Sequence, residues 1–493
     1  MPPPSPTTAF AMQFIVKLFP EITVKSAPVR KRMTRQLREN LRTLLRGVDR
    51  GFRISRDWEK IDIYHDANDD GLRQRAIQVL SHTPGIANFA EVRAFPFVDL
   101  DHVTAETVAV WGDALAGKTF CVRIKRNGDH DFTSTEAERH IGGGLLHQTE
   151  AAGVKLKAPE VTVRLEIRGD TAFILLDKQP GLGGFPIGTQ DPVLSLVSGG
   201  FDSTVASYLT MRRGLRTHFL FFNLGGREHE VGVKEIAYYL WQKYGASHHV
   251  RFITIPFEEV VTEILTKIDD RYMGVVLKRM FLRVAEKVAD HFGVRALVTG
   301  EAVAQVSSQT LPNLAVIDRV TEKLVLRPLA TFDKGEIINL ARQTGTEDFA
   351  ANIPEYCGVI SKHPTTRAKL DRLEATEQHF DFEVLERAFD NRMVQQITEL
   401  RVGETLQPLE IFEDIPEGAT VLDVRHPEEQ EQHPLALEGA AVVAIPFFQL
   451  HQRFSELDKN SHYLLYCQKG VMSRLQAEHL RDQGFIRVGI YRR

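Results

Sequence analysis

The period of hydrophobic and polar positions changes several times along the chain, and the changes mark out its elements. Met12 to Leu18 alternates as a half-buried strand does, and the turn residues Pro20-Glu21 follow. Within Val29 to Leu45, residues Met33, Leu37, Leu41 and Leu44/Leu45 recur at helical spacing. Ile61 to Tyr64 reads as a strand and Leu72 to Leu80 as a helix, a βαββα-like order that predicts a small α+β unit. Thr119 to Arg126 alternates again, with its basic residues on the outward face. His130 to Phe132, Ser134 to Arg139 and the triple glycine Gly142-Gly143-Gly144 come next. Strands expected at Val161 to Ile167 and Ala172 to Leu176 complete a second α+β unit. Gly181 to Pro186 is a Gly/Pro-rich boundary. Beyond Asp191, strands (Val193 to Val197, Thr217 to Leu224, His249 to Ile255, Arg295 to Thr299) alternate with helices (Thr204 to Arg213, Val231 to Tyr244, Tyr272 to Phe292). That alternation predicts a parallel, doubly wound sheet. Pro408 to Pro416 is acidic and proline-bearing and reads as a linker. Val421 to Arg425 opens a last α/β unit that runs to Arg493. The fold class expected is α/β multidomain, without internal repeats.

A length of 493 residues suits three or four domains, each with its own core. The net charge of −4 is uninformative, but its distribution is not. Lys25 to Lys60 carries twelve Lys/Arg against four Asp/Glu, whereas Glu404 to Arg493 carries nine against fourteen. One end suits a polyanion and the other does not. Arg32, Arg35, Arg38, Arg42 and Arg46 share the polar face of the first long helix, as a solvated face or as a surface for phosphates. No apolar run approaches the ~18–20 residues of a membrane helix. The proline-rich start, residues 1–11, lacks the regions of a signal peptide and is expected to be a disordered tail, with Met12 an alternative start. Three cysteines, Cys121, Cys357 and Cys467, are too few for a secreted disulfide scaffold and point to a reducing cytoplasm.

Two stretches carry chemistry. In the first, the apolar run Val193 to Val197 feeds the turn Ser198-Gly199-Gly200, which opens a helix. This order builds an anion cradle from converging backbone N–H groups and a helix N-terminus. The ending of a Walker A sequence is missing, which disfavours ordinary γ-phosphate chemistry. Asp333 and Glu336 have the spacing of a helix N-cap and its capping-box partner. Lys334 inside that first turn opposes the helix dipole, which makes an anionic partner plausible. In the second stretch, Tyr463 to Tyr466 is a strand that ends in Cys467. A tight loop, Gln468 to Ser473, leads into a helix beginning at Arg474. A sulfur at such a junction faces backbone N–H groups and the basic Lys469 and Arg474, a setting that stabilises an anion. Cys357 sits between Pro354 and Gly358 in an expected irregular loop. Cys121, between Phe120 and Val122, reads as a buried structural thiol.

Ser198-Gly-Gly-Phe-Asp-Ser203 resembles the pyrophosphate (PP) loop of ATP pyrophosphatases, which cut ATP between the α and β phosphates. Lys125, Arg126, the polar turn and the triple glycine resemble a THUMP domain, a module of tRNA-modifying enzymes. The Cys467 loop, with Leu422-Asp-Val-Arg425 upstream, resembles a rhodanese domain. In this order, with Leu18 to Thr23, Gly184 to Gln190 and Pro354 to Gly358, the whole resembles the 4-thiouridine synthase family of tRNA sulfurtransferases, from about Met12 to Arg493. The resemblance implies a ferredoxin-like domain at 12–73, a THUMP domain at 74–178, a PP-loop domain at 185–403, a linker at 404–416 and a rhodanese domain at 417–493.

It further implies catalytic roles for Cys467, Cys357, Asp202 and Lys334. Leu196, Val197, Ser198, Gly199, Gly200, Phe201, Asp202, Ser203, Lys278, Gly300 and Gln309 would bind the nucleotide. ATP and Mg²⁺ would be the cofactors, with no resident protein metal site. The implied chemistry adenylates a tRNA uridine at position eight and replaces its oxygen with persulfide sulfur carried on Cys467. Cys357 would resolve the product as a Cys357–Cys467 disulfide. The partners implied are tRNA, a cysteine desulfurase as persulfide donor, a disulfide reductant and the sulfur-carrier protein of thiamine thiazole synthesis, with no membrane. Two rival readings stay open at this level: a non-catalytic tRNA-binding protein, and a persulfide donor that serves only the sulfur carrier.

Overall fold

The computed structural model describes residues 12–55, 61–224, 226–353, 363–400, 409–425, 427–437, 439–450, 453, 456–468, 473, 476–477, 480–481 and 483–492. It divides into two compact units, residues 1–189 with 212–214, and 190–211 with 215–493.

The first unit is built on one eight-stranded sheet. Its strands are β1 Met12–Leu18, β2 Arg53–Ile54, β3 Ile61–His65, β4 Ile86–Pro96, β5 Thr119–Asn127, β6 Gly153–Val154, β7 Val161–Arg168 and β8 Thr171–Gly183. They run in the order β2-β3-β1-β4-β8-β7-β5-β6. The long antiparallel pair β4–β8 fuses the two α+β halves into a continuous sheet. The helices Ala27–Val48 and Asp70–His82 cover the first half, burying Met33, Leu37, Leu41, Leu45, Ala76 and Leu80. Leu100–Leu115 and Ser134–Gln148 cover the second half through Val103, Leu115, Ile141 and Leu145. The junction expected at 73/74 therefore falls inside the helix Asp70–His82, which Asp69 caps by accepting the Leu72 amide. The triple glycine lies within the helix Ser134–Gln148. β8 carries the Gly/Pro-rich boundary into the sheet as far as Gly183. On the helix Ala27–Val48, Arg32, Arg35 and Arg46 are exposed, and Arg38 and Arg42 are half-buried.

The second unit holds two parallel sheets. The larger comprises β9 Val193–Val197, β10 Thr217–Asn223, β11 Arg251–Pro256, β12 Ala296–Val298, β13 Leu324–Leu326 and β14 Met393–Gln396. Their order is β13-β12-β9-β10-β11-β14, with only β14 antiparallel. β10 reads Thr-His-Phe-Leu-Phe-Phe-Asn because both faces of a parallel sheet are covered. One core holds Leu220, Phe222, Ile253 and Ile255 against the helices Glu258–Lys267 and Met273–His291. The other packs Val193, Ala296 and Val298 against Phe201–Arg212 and Lys334–Thr344. The chain passes from β9 to β10 on one side and returns to place β12 on the other. β9 is therefore the switch point, beyond whose carboxyl end ligands of such sheets bind.

The smaller sheet comprises β15 Ile411–Phe412, β16 Ala419–Asp423, β17 Ala441–Ala444, β18 His462–Tyr466 and β19 Val488–Tyr491, in the order β15-β19-β18-β16-β17. β15 lies inside the stretch expected to be linker: Ile411 and Phe412 pair with Ile490 and Tyr491 and so belong to the terminal sheet. Among the described residues, no helix is long and apolar enough to cross a membrane.

Candidate functional site

The PP-like loop leaves β9 at its carboxyl end. Gly199 has φ +84°, and a Cβ there would come within 2.7 Å of Ile353. Both the left-handed backbone and the close side chain require glycine. The Ser203 hydroxyl accepts the Ser198 amide at 3.1 Å and lies 3.2 Å from the Ser198 hydroxyl. Thr204 donates its hydroxyl to the Gly200 carbonyl at 2.9 Å. The loop is thus closed onto the first turn of the helix Phe201–Arg212, which starts three residues earlier than the sequence pattern predicts because Phe201 packs into the core beneath it. From the helix Gly226–Leu240, His229 donates Nε2–H to the Ser198 carbonyl at 3.0 Å. Burial pushes that imidazole down, against the opposing effect of the carbonyl, so it acts as a neutral donor.

Asp202 sits at the mouth of this loop with both oxygens engaged. Lys334 Nζ lies 2.9 Å from Oδ1, and Gln305 donates Nε2–H to Oδ2 at 2.8 Å. Lys334 also lies over the Phe201 ring, 5.3 Å from its centroid. The capping box that presents Lys334 is formed: Asp333 accepts the Glu336 amide at 2.8 Å, and Glu336 accepts the Asp333 amide at 2.9 Å. At the far end of that helix the Thr344 carbonyl accepts from Tyr239, Lys243 and Tyr244. A cation and two hydroxyls thus complement the negative end of the dipole.

β12 ends beside this loop. Gly300 is packed so that an added Cβ would lie 2.5 Å from both the Asp202 carbonyl carbon and the Ser203 nitrogen. This is close approach of two backbones, and neither can yield as a side-chain tip would. We expect Gly300→Ala to lower stability by about 1–3 kcal/mol through overpacking. A drop in the urea midpoint at unchanged slope would register it, and an unshifted midpoint would mean that the two backbones can part freely.

Next in sequence, Glu301 is buried and accepts from Lys278 at 2.6 Å, Arg327 at 2.8 Å and Thr299 at 3.0 Å. Burial alone would raise its pKa. The Lys278 and Arg327 charges overcome that and hold it at about 2. Arg327 is itself forked onto Asp318 at 2.6 and 2.9 Å. The helix that carries Lys278 is fastened one residue on. There the fully buried Arg279 pairs with Glu377 at 2.5 and 2.9 Å and donates to the Val316 carbonyl. Gln309 is buried, its carbonyl accepts the Ala304 amide, and its side-chain Oε1 has no partner among the described residues. Leu196 packs against the larger core and Val197 is buried, so both side chains face the protein.

The Cys467 loop is a separate centre. The sulfur lies 3.3 Å from the Ser473 amide, which donates to it, and 3.5 Å from the Ser473 hydroxyl. Beside it, the buried Arg425 grips Asp423 at 2.9 and 2.7 Å, which explains the Leu-Asp-Val-Arg signature as a bidentate pair at the end of β16. Tyr238, on the helix Gly226–Leu240, has its phenol pushed up by burial, with Cys467 and Glu429 adding to the effect. Cys357, Lys469 and Arg474 lie outside the described residues. Cys121 is buried beside the Thr162 hydroxyl, 3.8 Å away.

The structure therefore brings Ser198–Ser203, Gly300 and Lys334 together. It sends Lys278 to Glu301 and keeps Cys467 in its own loop. Sequence reading missed His229, Gln305, Glu301 and Arg327. Only Glu301 carried a signal, as a polar residue just past the carboxyl end of a parallel strand.

Family models match along the chain: "ThiI ferredoxin-like domain" over 13–90, "THUMP domain" over 98–177, "Thiamine biosynthesis protein (ThiI)" over 188–382 and "Rhodanese-like domain" over 409–493. The tRNA sulfurtransferase of Pseudomonas aeruginosa strain UCBPP-PA14 is 55% identical over 483 residues, covering 98% of this chain and all of that protein. The chain belongs to the tRNA sulfurtransferase family. The Saccharophagus degradans tRNA sulfurtransferase is 52% identical over 482 residues, covering 98% of this chain and all of that protein. A solved 4-thiouridine synthetase in complex with RNA and bound ATP superposes with a TM-score of 0.68 at 29% identity, covering 78% of this chain and 99% of that one. PH1313 from Pyrococcus horikoshii shares the fold, with a TM-score of 0.53 at 18% identity over 68% of this chain and 99% of that one. Membership of the tRNA sulfurtransferases makes the chain an enzyme, with the ferredoxin-like, THUMP, PP-loop and rhodanese domains of that family.

Proposed function

We propose that this sulfurtransferase uses ATP to turn a tRNA uridine, at position eight, into 4-thiouridine through an adenylated intermediate. The observation that carries the reading is the loop at the switch point of a parallel sheet, with Asp202 and Lys334 paired at its mouth. The solved 4-thiouridine synthetase that covers 78% of this chain was obtained with RNA and bound ATP. Ser198 to Ser203 would cradle phosphates, and Lys278, Gly300 and Gln309 would line the nucleotide beyond them. Gln309 Oε1 is a buried acceptor that a base amino group would satisfy. Mg²⁺ would be held mainly by the ATP phosphates, with the Asp202 carboxylate at the mouth of the loop as a protein oxygen. The arginine face of the helix Ala27–Val48 offers the polyanion a surface.

The chemistry follows from a poor leaving group. Uridine O4 attacks the α-phosphate, the bond to pyrophosphate breaks, and C4 then carries AMP. The terminal sulfur of a persulfide on Cys467 attacks C4 and AMP departs. Cys357 attacks the Cys467 sulfur of the persulfide or of the resulting adduct. The transferred sulfur is freed and a Cys357–Cys467 disulfide remains, which a two-electron reductant resets. A cysteine desulfurase would load Cys467. The match of 188–382 to a thiamine biosynthesis family favours a second outlet, to the sulfur-carrier protein of thiazole synthesis.

Nucleoside mass spectrometry of bulk tRNA tests the reading. Cells lacking the protein should contain no 4-thiouridine, and the intact gene should restore it. Undiminished 4-thiouridine in those cells would reject the assignment.

A further inference from the structure

We propose that Gln305 is a positioning residue for the adenylation step, fixing the rotation of the Asp202 carboxylate at the mouth of the Ser198–Ser203 loop. This rests on the reading of that loop as the ATP site.

Asp202 is the second residue of its helix and one-fifth exposed, so nothing in its backbone fixes which way the carboxylate turns. Lys334 does not fix it either. Its ammonium is a rotatable point charge on a flexible stem, and the side chain is 42% exposed. The amide N–H of Gln305, 2.8 Å from Oδ2, is the directional contact. It is also neutral, so it adds no charge that competes with Lys334. When Lys334 turns to the phosphates, Gln305 is the contact that stays on Asp202.

The backbone that delivers Gln305 is held in an unusual state. Ala304 has φ +66°, a left-handed conformation that side chains other than glycine avoid. Such residues persist only where neighbours over-determine them, and they gather at functional sites. Here the neighbours are explicit. The Ala304 amide donates to the Gln309 carbonyl at 3.0 Å, the Gln305 amide to the Ala302 carbonyl at 3.3 Å, and the Val303 amide to the Ala330 carbonyl at 3.0 Å. Upstream, Glu301 anchors the same segment to Lys278 and Arg327. Two independent features, a bond to the loop acid and a strained turn that presents it, converge on one side chain.

The test measures tRNA-dependent pyrophosphate release by the full-length protein with ATP, an unmodified tRNA transcript and no sulfur donor. Gln305→Ala should lower the maximal single-turnover rate of pyrophosphate release by about 10–100-fold, the scale of a misplaced reacting group, while the ATP concentration that gives half that rate moves less than about threefold. Gln305→Met keeps the length without the amide and should fall equally, which covers the case in which the alanine variant misfolds. Adding Gln305→Ala to Asp202→Ala should cost nothing beyond Asp202→Ala alone, because the glutamine acts through the aspartate. Gln305→Ala and Gln305→Met both staying within twofold of the unsubstituted protein, or losses that multiply in the double variant, would overturn the inference. Asp202→Ala at full rate would instead overturn the underlying ATP-site reading and this inference with it, whereas an inactive Asp202→Ala beside a fully active Gln305→Ala removes this inference alone.

Discussion

Asp202→Ala should reduce tRNA thiolation to background and slow tRNA-dependent pyrophosphate release by roughly 10²–10³-fold, to a residual rate that can still be measured. The argument turns on what the substitution leaves intact. The Asp202–Lys334 pair is partly exposed, with Lys334 the more open partner, and pairs of this kind contribute only about 0–1 kcal/mol to folding. The loop is closed by Ser198, Ser203 and Thr204, whose bonds do not involve the Asp202 side chain. The variant should therefore fold and melt almost normally, and its defect should lie in the chemistry. Two donors, from Lys334 and Gln305, would lose their acceptor, and the mouth of the cradle would carry one more net positive charge. Asp202→Asn restores an acceptor for Gln305 without the charge and should resemble Asp202→Ala more than the unsubstituted enzyme. Thiolation by Asp202→Ala at close to the unsubstituted rate, read as 4-thiouridine formed per enzyme, would remove the acid from the mechanism.

Cys467→Ala should be equally inactive in thiolation with a cysteine desulfurase as donor, yet keep pyrophosphate release within about threefold, as separate centres behave. The sulfur sits in its own loop against the Ser473 amide, on a different sheet from the Ser198–Ser203 loop. Alanine offers no atom to carry sulfane sulfur. Serine at 467 keeps a contact for the amide, but its oxygen is no carrier either, so Cys467→Ser should match Cys467→Ala. The Asp202 and Cys467 variants thus cut the reaction at two different steps. Full thiolation by catalytic amounts of Cys467→Ala would mean that the sulfur travels on another atom.

Local chemistry was legible in the chain and long-range contact was not. The Asp333/Glu336 cap, the strand–loop–helix at Val193 to Arg212 and the Asp-Val-Arg signature each act within a few residues, and the structure forms all three. The β4–β8 pairing joins residues from 75 (Pro96 with Thr171) to 97 (Ile86 with Gly183) positions apart, and β4 mixes buried, half-buried and exposed positions with no clean alternation, so it gave no strand signal. β15 is two residues long and acquires its meaning from β19 at the other end of the domain. The π-helical turn Trp241–Gly245 hid inside an ordinary helical period. In the site, Gly300 reads as a turn glycine until Asp202 is seen pressed against it. His229 and Gln305 look like surface polar residues, because the partners that give them roles lie 31 and 103 positions away.

The salt-linked Glu301 has a consequence for acidity. Its carboxyl is depressed in the folded chain, to about 2 from an ordinary value of 4.5. The stability it contributes is therefore complete above the unfolded value, declines progressively as the medium becomes more acidic, and is gone once it has fallen through about 2. From mildly acidic to alkaline conditions Glu301 stays ionised, and Lys278 keeps the same counter-ion throughout. A bend in a rate profile recorded across that range therefore does not come from Glu301.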